Sequence, residues 1–121
     1  MARILIIDDS PTEVIAFTRM LSALGHEIFS ANNAEEGLLK ANDLKPDLIL
    51  MDVVMPGMNG FQATRRLTKS PATAHIPIIT ITTEDQETDR IWGLRQGARD
   101  YVVKPPEPAE FIAKITEVLG G

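Results

Sequence analysis

The acids of this chain fall where chemistry would need them. Asp8 and Asp9 are adjacent and follow Ile4-Leu5-Ile6-Ile7, and Asp52 follows Leu48-Ile49-Leu50-Met51. Each apolar run reads as a buried strand, which puts the carboxylates at strand ends. In an open parallel sheet, the carboxyl ends of the strands are where ligands bind. Three carboxylates gathered there would repel one another: two unit charges roughly 4 Å apart interact by about 4 kcal/mol at an effective dielectric of about 20. A cation, a shared proton or a lysine must compensate. Lys104, at the end of the run Tyr101-Val102-Val103, is the lysine in the equivalent place. Together the four residues read as a metal-dependent site that accepts a phosphoryl group.

The elements that must position them are legible as an alternation. Short apolar runs at residues 4–7, 28–31, 48–51, 78–82 and 101–103 are separated by longer amphipathic stretches. Four of the runs are nearly continuous, as in parallel strands covered on both faces. Ile28-Phe29-Ser30-Ala31 is the most mixed and is assigned to a sheet edge. Ser10-Pro11-Thr12-Glu13 has the residues of a capping box with proline at the first helical position. Val14, Phe17, Leu21 and Leu24 follow at helical spacing, and Gly25 marks the stop. Asn33-Ala34-Glu35-Glu36 starts a second helix carrying Leu38, Leu39 and Ala41. A third runs from Gly60 to Lys69 with Phe61, Ala63 and Leu67. A fourth starts at Thr83 or Asp85, with Ile91, Leu94 and Ala98 on one face. Pro108 opens a fifth, carrying Phe111, Ile112, Ile115, Val118 and Leu119. Five strands alternating with five helices give a (βα)5 α/β fold, a doubly wound parallel sheet with right-handed crossovers. No repeat, low-complexity tract or linker interrupts residues 1–121, so the chain reads as one module without an output domain.

Composition narrows the function. The 121 residues are 44% hydrophobic and 24% charged, as in globular proteins, and the net charge is −5. The basic residues are scattered, with Arg65-Arg66 the only adjacent pair, which argues against nucleic acid as the main partner. There are no cysteines, hence neither disulfides nor thiolate metal sites. No stretch has the length of a membrane span, and Asp8-Asp9 interrupts the first apolar run before it could serve as a signal peptide. A cytoplasmic protein without membrane insertion is expected. His26 and His75 fall in predicted loops as exposed residues without a function. Trp92 is left open between half-buried packing and a partner-facing role.

Asp8-Asp9, Asp52, Thr82 and Lys104-Pro105, each ending a strand, resemble the signature of the receiver domains of two-component response regulators, the CheY-like family. Asp52-Val53-Val54-Met55-Pro56-Gly57-Met58-Asn59-Gly60 is similar to that family's D-x-x-M-P-x-x-x-G segment, and Gly97-Ala98-Arg99-Asp100-Tyr101 to its G-A-x-x-Y segment. The resemblance covers the whole chain and implies strand order 2-1-3-4-5. It implies that Asp52 is the phosphoacceptor, served by a phosphohistidine on a CheA-like sensor histidine kinase. It implies Mg²⁺ held by Asp9 and Asp52, by Asp8 through water and by the backbone carbonyl of Val54. Lys104 and Thr82 would contact the phosphoryl group, Thr82 and Tyr101 would form the switch, and Lys104-Pro105 would be a cis peptide. A downstream target would read the fourth-helix and fifth-strand face. Beyond transfer to itself and slow autodephosphorylation, no enzyme activity is implied.

A finer resemblance is to the PilH-type regulators of type IV pilus twitching motility. It rests on Phe61-Gln62-Ala63-Thr64-Arg65, on Asp85-Gln86-Glu87-Thr88-Asp89, on Trp92-Gly93 and on the segment from Arg95 to Tyr101. Two positions depart from the commonest receiver pattern: Val54 is apolar where many relatives are polar, and Thr83 replaces a smaller residue after Thr82. Slow loss of the phosphoryl group is the expectation. A phosphate sink or a flagellar-type chemotaxis receiver is an alternative within the family. A haloacid-dehalogenase-like phosphatase also uses a strand-end aspartate, but needs a second acid where Val54 stands. A flavodoxin would need a phosphate-cradling loop where Asp8-Asp9 would repel phosphate.

Overall fold

Continuous runs of aliphatic residues can bury both faces only inside a covered sheet, and that is where they lie. The computed structural model of the protein describes residues 1–83 and 87–120. In chain order the elements are β1 (Arg3–Ile7), α1 (Pro11–Ser22), β2 (Glu27–Ala31), α2 (Ala34–Leu44), β3 (Leu48–Asp52), α3 (Gly60–Lys69), β4 (Ile78–Thr82), α4 (Glu87–Arg95), β5 (Asp100–Val103) and α5 (Pro108–Gly120). The strands pair in parallel in the order β2-β1-β3-β4-β5, the doubly wound arrangement expected from the alternation. The mixed run becomes the edge strand β2. Asp85, one of the two expected starts of the fourth helix, lies outside the described residues, as do Gln86 and Gly121.

Alternation along each strand divides the core into two layers. Ile4, Ile6, Leu48, Leu50, Ile79 and Ile81 pack with Phe17 and Leu21 of α1 and with Phe111 and Ile115 of α5. Leu5, Ile7, Ile49, Met51 and Ile78 pack on the other face with Ala34, Ala41, Ala63 and Leu67 of α2 and α3. Phe17 and Phe111 join the two helices of the first layer, their ring centroids 5.2 Å apart. Among the described residues no helix is long and apolar enough to cross a membrane.

Several local expectations are corrected. The Ser10 side chain accepts from the Glu13 amide, but the reciprocal half of the capping box is replaced: the Ser10 amide donates to Asp8 Oδ1 at 2.9 Å. The full reciprocal box forms instead at Asn59 and Gln62, at the start of α3. Leu24 is exposed, because α1 stops at Ser22 and the chain turns before reaching it. Leu39 points outward from α2, whose inner face is made by Ala34, Gly37 and Ala41. His26 is only half exposed, and its Nδ1 accepts from the Ala2 amide at 3.1 Å.

The largest correction concerns α4. Ile91 and Leu94 do not form a core stripe: they are exposed, together with Trp92, and of the predicted face only Ala98 is buried. The inward side of the helix carries glycine. A Cβ on Gly93 would lie 3.0 Å from the Thr80 hydroxyl, and one on Gly97, at φ +110, would lie 2.6 Å from Thr68 Cγ2. The Thr68 hydroxyl donates to the Gln96 carbonyl at 2.9 Å, fixing the end of α4 to α3. Close approach on that side turns the bulky side chains away from the core.

Because Phe111 is fully buried against Phe17, Phe111→Ala is expected to lower unfolding stability by about 3–5 kcal/mol in a urea titration. A loss below about 1 kcal/mol would show that this contact does not anchor α5.

Candidate functional site

Backbone pairing carries three strand ends to one place. The Asp8 amide donates to Ala31 O at 3.1 Å, extending the pairing of β1 with β2 by one residue. Asp52 is the last residue of β3, and the next amide, that of Val53, donates to Ile81 O at 3.1 Å. Past β5, the Lys104 amide donates to Thr82 O at 2.7 Å, so the residue after the strand is still held on β4. The β3–α3 loop then folds back tightly. The Gly60 amide donates to Val53 O at 2.9 Å, and any Cβ at residue 60 would collide with the Asp52 carbonyl oxygen. Glycine at that spacing is a condition for the loop to close over the end of β3.

The side chains converge as expected. Lys104 Nζ donates to Asp8 Oδ2 at 3.0 Å and to Asp52 Oδ1 at 3.2 Å. Asp8 and Asp52 are 1% and 4% exposed, while Asp9 faces outward. Both Asp8 oxygens are engaged, one by Lys104 and one by the Ser10 amide. Asp52 Oδ2 and the Asp9 carboxylate have no hydrogen-bond partner among the described residues. Asp8, Asp9 and Asp52 each offer an oxygen within 4.8 Å of the others. One lysine cannot neutralise three carboxylates, and two negative charges remain, which a single divalent cation would cancel. A donor set made only of oxygen suits a hard cation of the magnesium class. The cluster could therefore bind a metal ion.

Burial pushes the Asp52 carboxyl up to about 6, with the charges of Asp8 and Asp9 adding to it and Lys104 opposing. Lys104 moves the other way from a simple buried amine: desolvation alone would lower it, but its hydrogen bond to Asp8 and the charge of Asp52 raise it. The lysine stays charged, and the acid that shares it is held short of full comfort as an anion.

Thr82 is the last residue of β4, buried, one position beyond Ile81, the partner of Asp52. Tyr101 pairs with Thr80, so Thr80, Thr82 and Tyr101 lie on one face of the sheet. The Thr80 hydroxyl is buried without a partner among the described residues. The Tyr101 ring is half-buried between two cations that the sequence did not disclose as its neighbours. The Arg90 guanidinium lies 4.6 Å from its centroid and Lys114 Nζ 4.4 Å. Lys114 also donates to Tyr101 O at 2.7 Å and pairs with Asp100 at 3.6 Å. Only its place beside the core residue Ile115 hinted at such a role. Val54 follows Asp52 by two residues and is 69% exposed. The Lys104–Pro105 peptide is cis.

The raised Asp52 makes a signed prediction. Between its ordinary value of 3.8 and about 6, the folded protein keeps a proton that the unfolded chain releases. Stability therefore falls as pH rises through that window, and the full cost persists above it. In the absence of divalent cations, Asp52→Asn is expected to stabilise the protein by about 1–3 kcal/mol near pH 7.5, with a gain that shrinks toward zero near pH 4. Urea melts of both proteins at the two pH values check this; an equal gain at both would remove titration as the cause.

Comparison with known proteins gives the same family from three directions. The response regulator receiver domain model matches residues 4–116. Over 121 residues the chain is 55% identical to Protein PilH of Pseudomonas aeruginosa, with all of both chains covered. It is 41% identical over 118 residues to the phosphate regulon transcriptional regulatory protein PhoB of the same organism, covering 96% of this chain and 51% of PhoB. The Vibrio cholerae chemotaxis response regulator CheY4 superposes with a TM-score of 0.91 at 30% identity, covering 98% of each chain. The receiver domain of a Pseudomonas aeruginosa sensor histidine kinase, whose structure holds a magnesium ion in its active site cleft, gives a TM-score of 0.91 at 28% identity over 99% of this chain and 98% of that one. With strands, acids and lysine arranged as such a domain requires, this chain belongs to the response regulator receiver domain family.

Proposed function

We propose that this receiver takes a phosphoryl group onto Asp52 from a phosphohistidine of a CheA-like sensor histidine kinase, with Mg²⁺, and that it serves pilus-based twitching motility. The observation that carries the proposal is the convergence of Asp8, Asp9, Asp52 and Lys104. Receiver domains of this kind take phosphoryl groups from histidine kinases, and the relative matched over its whole length is Protein PilH.

Each residue then has a definite task. Asp52 Oδ2, without a hydrogen-bond partner among the described residues, is the nucleophile: its bond to phosphorus forms as the bond from phosphorus to the donor imidazole nitrogen breaks. The departing imidazole keeps that electron pair. Magnesium would be held by Asp9, Asp52 and the Val54 carbonyl, with Asp8 acting through water, and would supply positive charge against the transferred phosphoryl oxygens. Lys104 is placed to follow one of those oxygens after leaving Asp52 Oδ1. The Thr82 hydroxyl, at the end of the neighbouring strand, would donate to another. A hydrogen bond to a charged acceptor is worth about 1.5–3 kcal/mol, which shifts a two-state equilibrium by roughly 10–150-fold. Tyr101 would respond by moving toward the space beside Thr80 and Thr82. The downstream target would then read α4 and β5, where Ile91, Trp92 and Leu94 already stand exposed.

Incubation with a phosphorylated kinase and Mg²⁺ is expected to label the wild type and leave Asp52→Ala unlabelled. Omission of divalent cation is expected to slow labelling at least about tenfold. Label on Asp52→Ala, or full-rate transfer in a chelator, would overturn the assignment.

The lifetime of the acyl phosphate follows from Val54. An exposed apolar side chain two residues past the acceptor offers an attacking water no hydrogen bond. Val54→Asn is expected to shorten the phosphoryl half-life several-fold, measured by loss of label after removal of the donor. An unchanged half-life would show that the side chain at 54 does not govern hydrolysis.

A further inference from the structure

In sequence the cations look dispersed, but the fold collects four of them on one face. Arg65, Arg66 and Lys69 of α3 line a hollow that also includes Glu35, Met58 and Gln62. Arg65 and Lys69 border a second hollow as well, completed by Arg95 and Gln96 at the end of α4. Arg65 and Lys69 stand one helical turn apart and form the ridge between the two hollows. All four cations are exposed, and none has an ion-pair partner among the described residues. The helix dipole favours a cation in the last turn of α3 or α4, but it does not call for four unpaired ones side by side. Outside the two hollows the chain sets eight basic residues against sixteen acids, since the whole has twelve and seventeen and Glu35 lines the first hollow. The result is a positive island on a negative protein, a pattern that orients an anionic partner toward one face and repels it elsewhere.

We propose that the α3–α4 face is a docking surface for an acidic segment of a protein partner. Arginine guanidinium groups pair with carboxylates through two parallel hydrogen bonds, and two neighbouring hollows offer room for successive side chains. Met58 adds an apolar contact, and Gln62 and Gln96 add amide donors and acceptors. A nucleic acid fits less well, because its evenly spaced phosphates would run off the island onto the acidic surface around it. The cations lie toward the C-terminal ends of α3 and α4, whereas the carboxylate cluster sits at the carboxyl ends of the strands, beside the start of α3.

The test uses the full chain and a fluorescein-labelled peptide of about ten glutamates, followed by fluorescence anisotropy at roughly 0.1 M salt. Saturable binding is expected. The double charge reversal Arg65→Glu with Lys69→Glu should weaken it at least about tenfold, while Arg99→Glu, an exposed cation elsewhere, should change it less than about twofold. Both variants should still be phosphorylated by a small phosphodonor and Mg²⁺ like the wild type, which shows that they are folded. Absence of saturable binding, or an equal loss in Arg99→Glu, would overturn the proposal. Tighter binding to a duplex DNA or to phosphatidylglycerol vesicles than to the peptide would overturn it in favour of those partners.

Discussion

A buried ammonium shared by two buried carboxylates is the constraint to which the rest of this structure answers. Asp8, Asp52 and Lys104 come from the ends of β1, β3 and β5, and β4 lies between the last two of these strands. Neighbouring strands are about 4.8 Å apart, so β5 stands roughly 14 Å from β1. No lysine side chain reaches that far by itself. The backbone after β5 has to lean over the end of β4, and its bond from the Lys104 amide to Thr82 O is how it does so. The Gly60 turn closes the same end of the sheet from the other side. Parallel register, loop closure and charge pairing are thus three statements of one requirement.

That requirement is also why much of the fold and site could be read from residues alone. Continuous aliphatic runs admit few arrangements, and acids placed directly after two of them, with a lysine after a third, have few explanations other than a shared site. The illegible parts depended on tertiary packing. Ser10 carries the residues of a capping box, yet its amide goes to Asp8, because a carboxylate fixed by Lys104 is the nearer acceptor. Ile91 and Leu94 repeat at helical spacing, yet they face out, because the glycines opposite them are what let α4 approach Thr80 and Thr68. Arg65 and Arg95 are thirty positions apart in sequence, and only the adjacency of α3 and α4 makes them neighbours.

The site is built at some expense to the fold around it. An anion that is desolvated and crowded by two other acids is held in a state the solvent would not choose, as the upward displacement of Asp52 records. Structures tolerate such local conflict where chemistry needs it and recover the loss elsewhere. Here the recovery comes from two apolar layers and from α1 and α5, which are joined through Phe17 and Phe111.

The inverted helix α4 has a consequence for how such a protein can diversify. Its seat against the sheet and α3 is made by glycine, alanine and threonine, so the identity of its outward side chains has little bearing on whether the chain folds. Those positions are free to drift toward whatever surface a new listener presents, without a compensating change underneath. A scaffold organised in this way separates the side chains that packing holds constant from those that it leaves open to change.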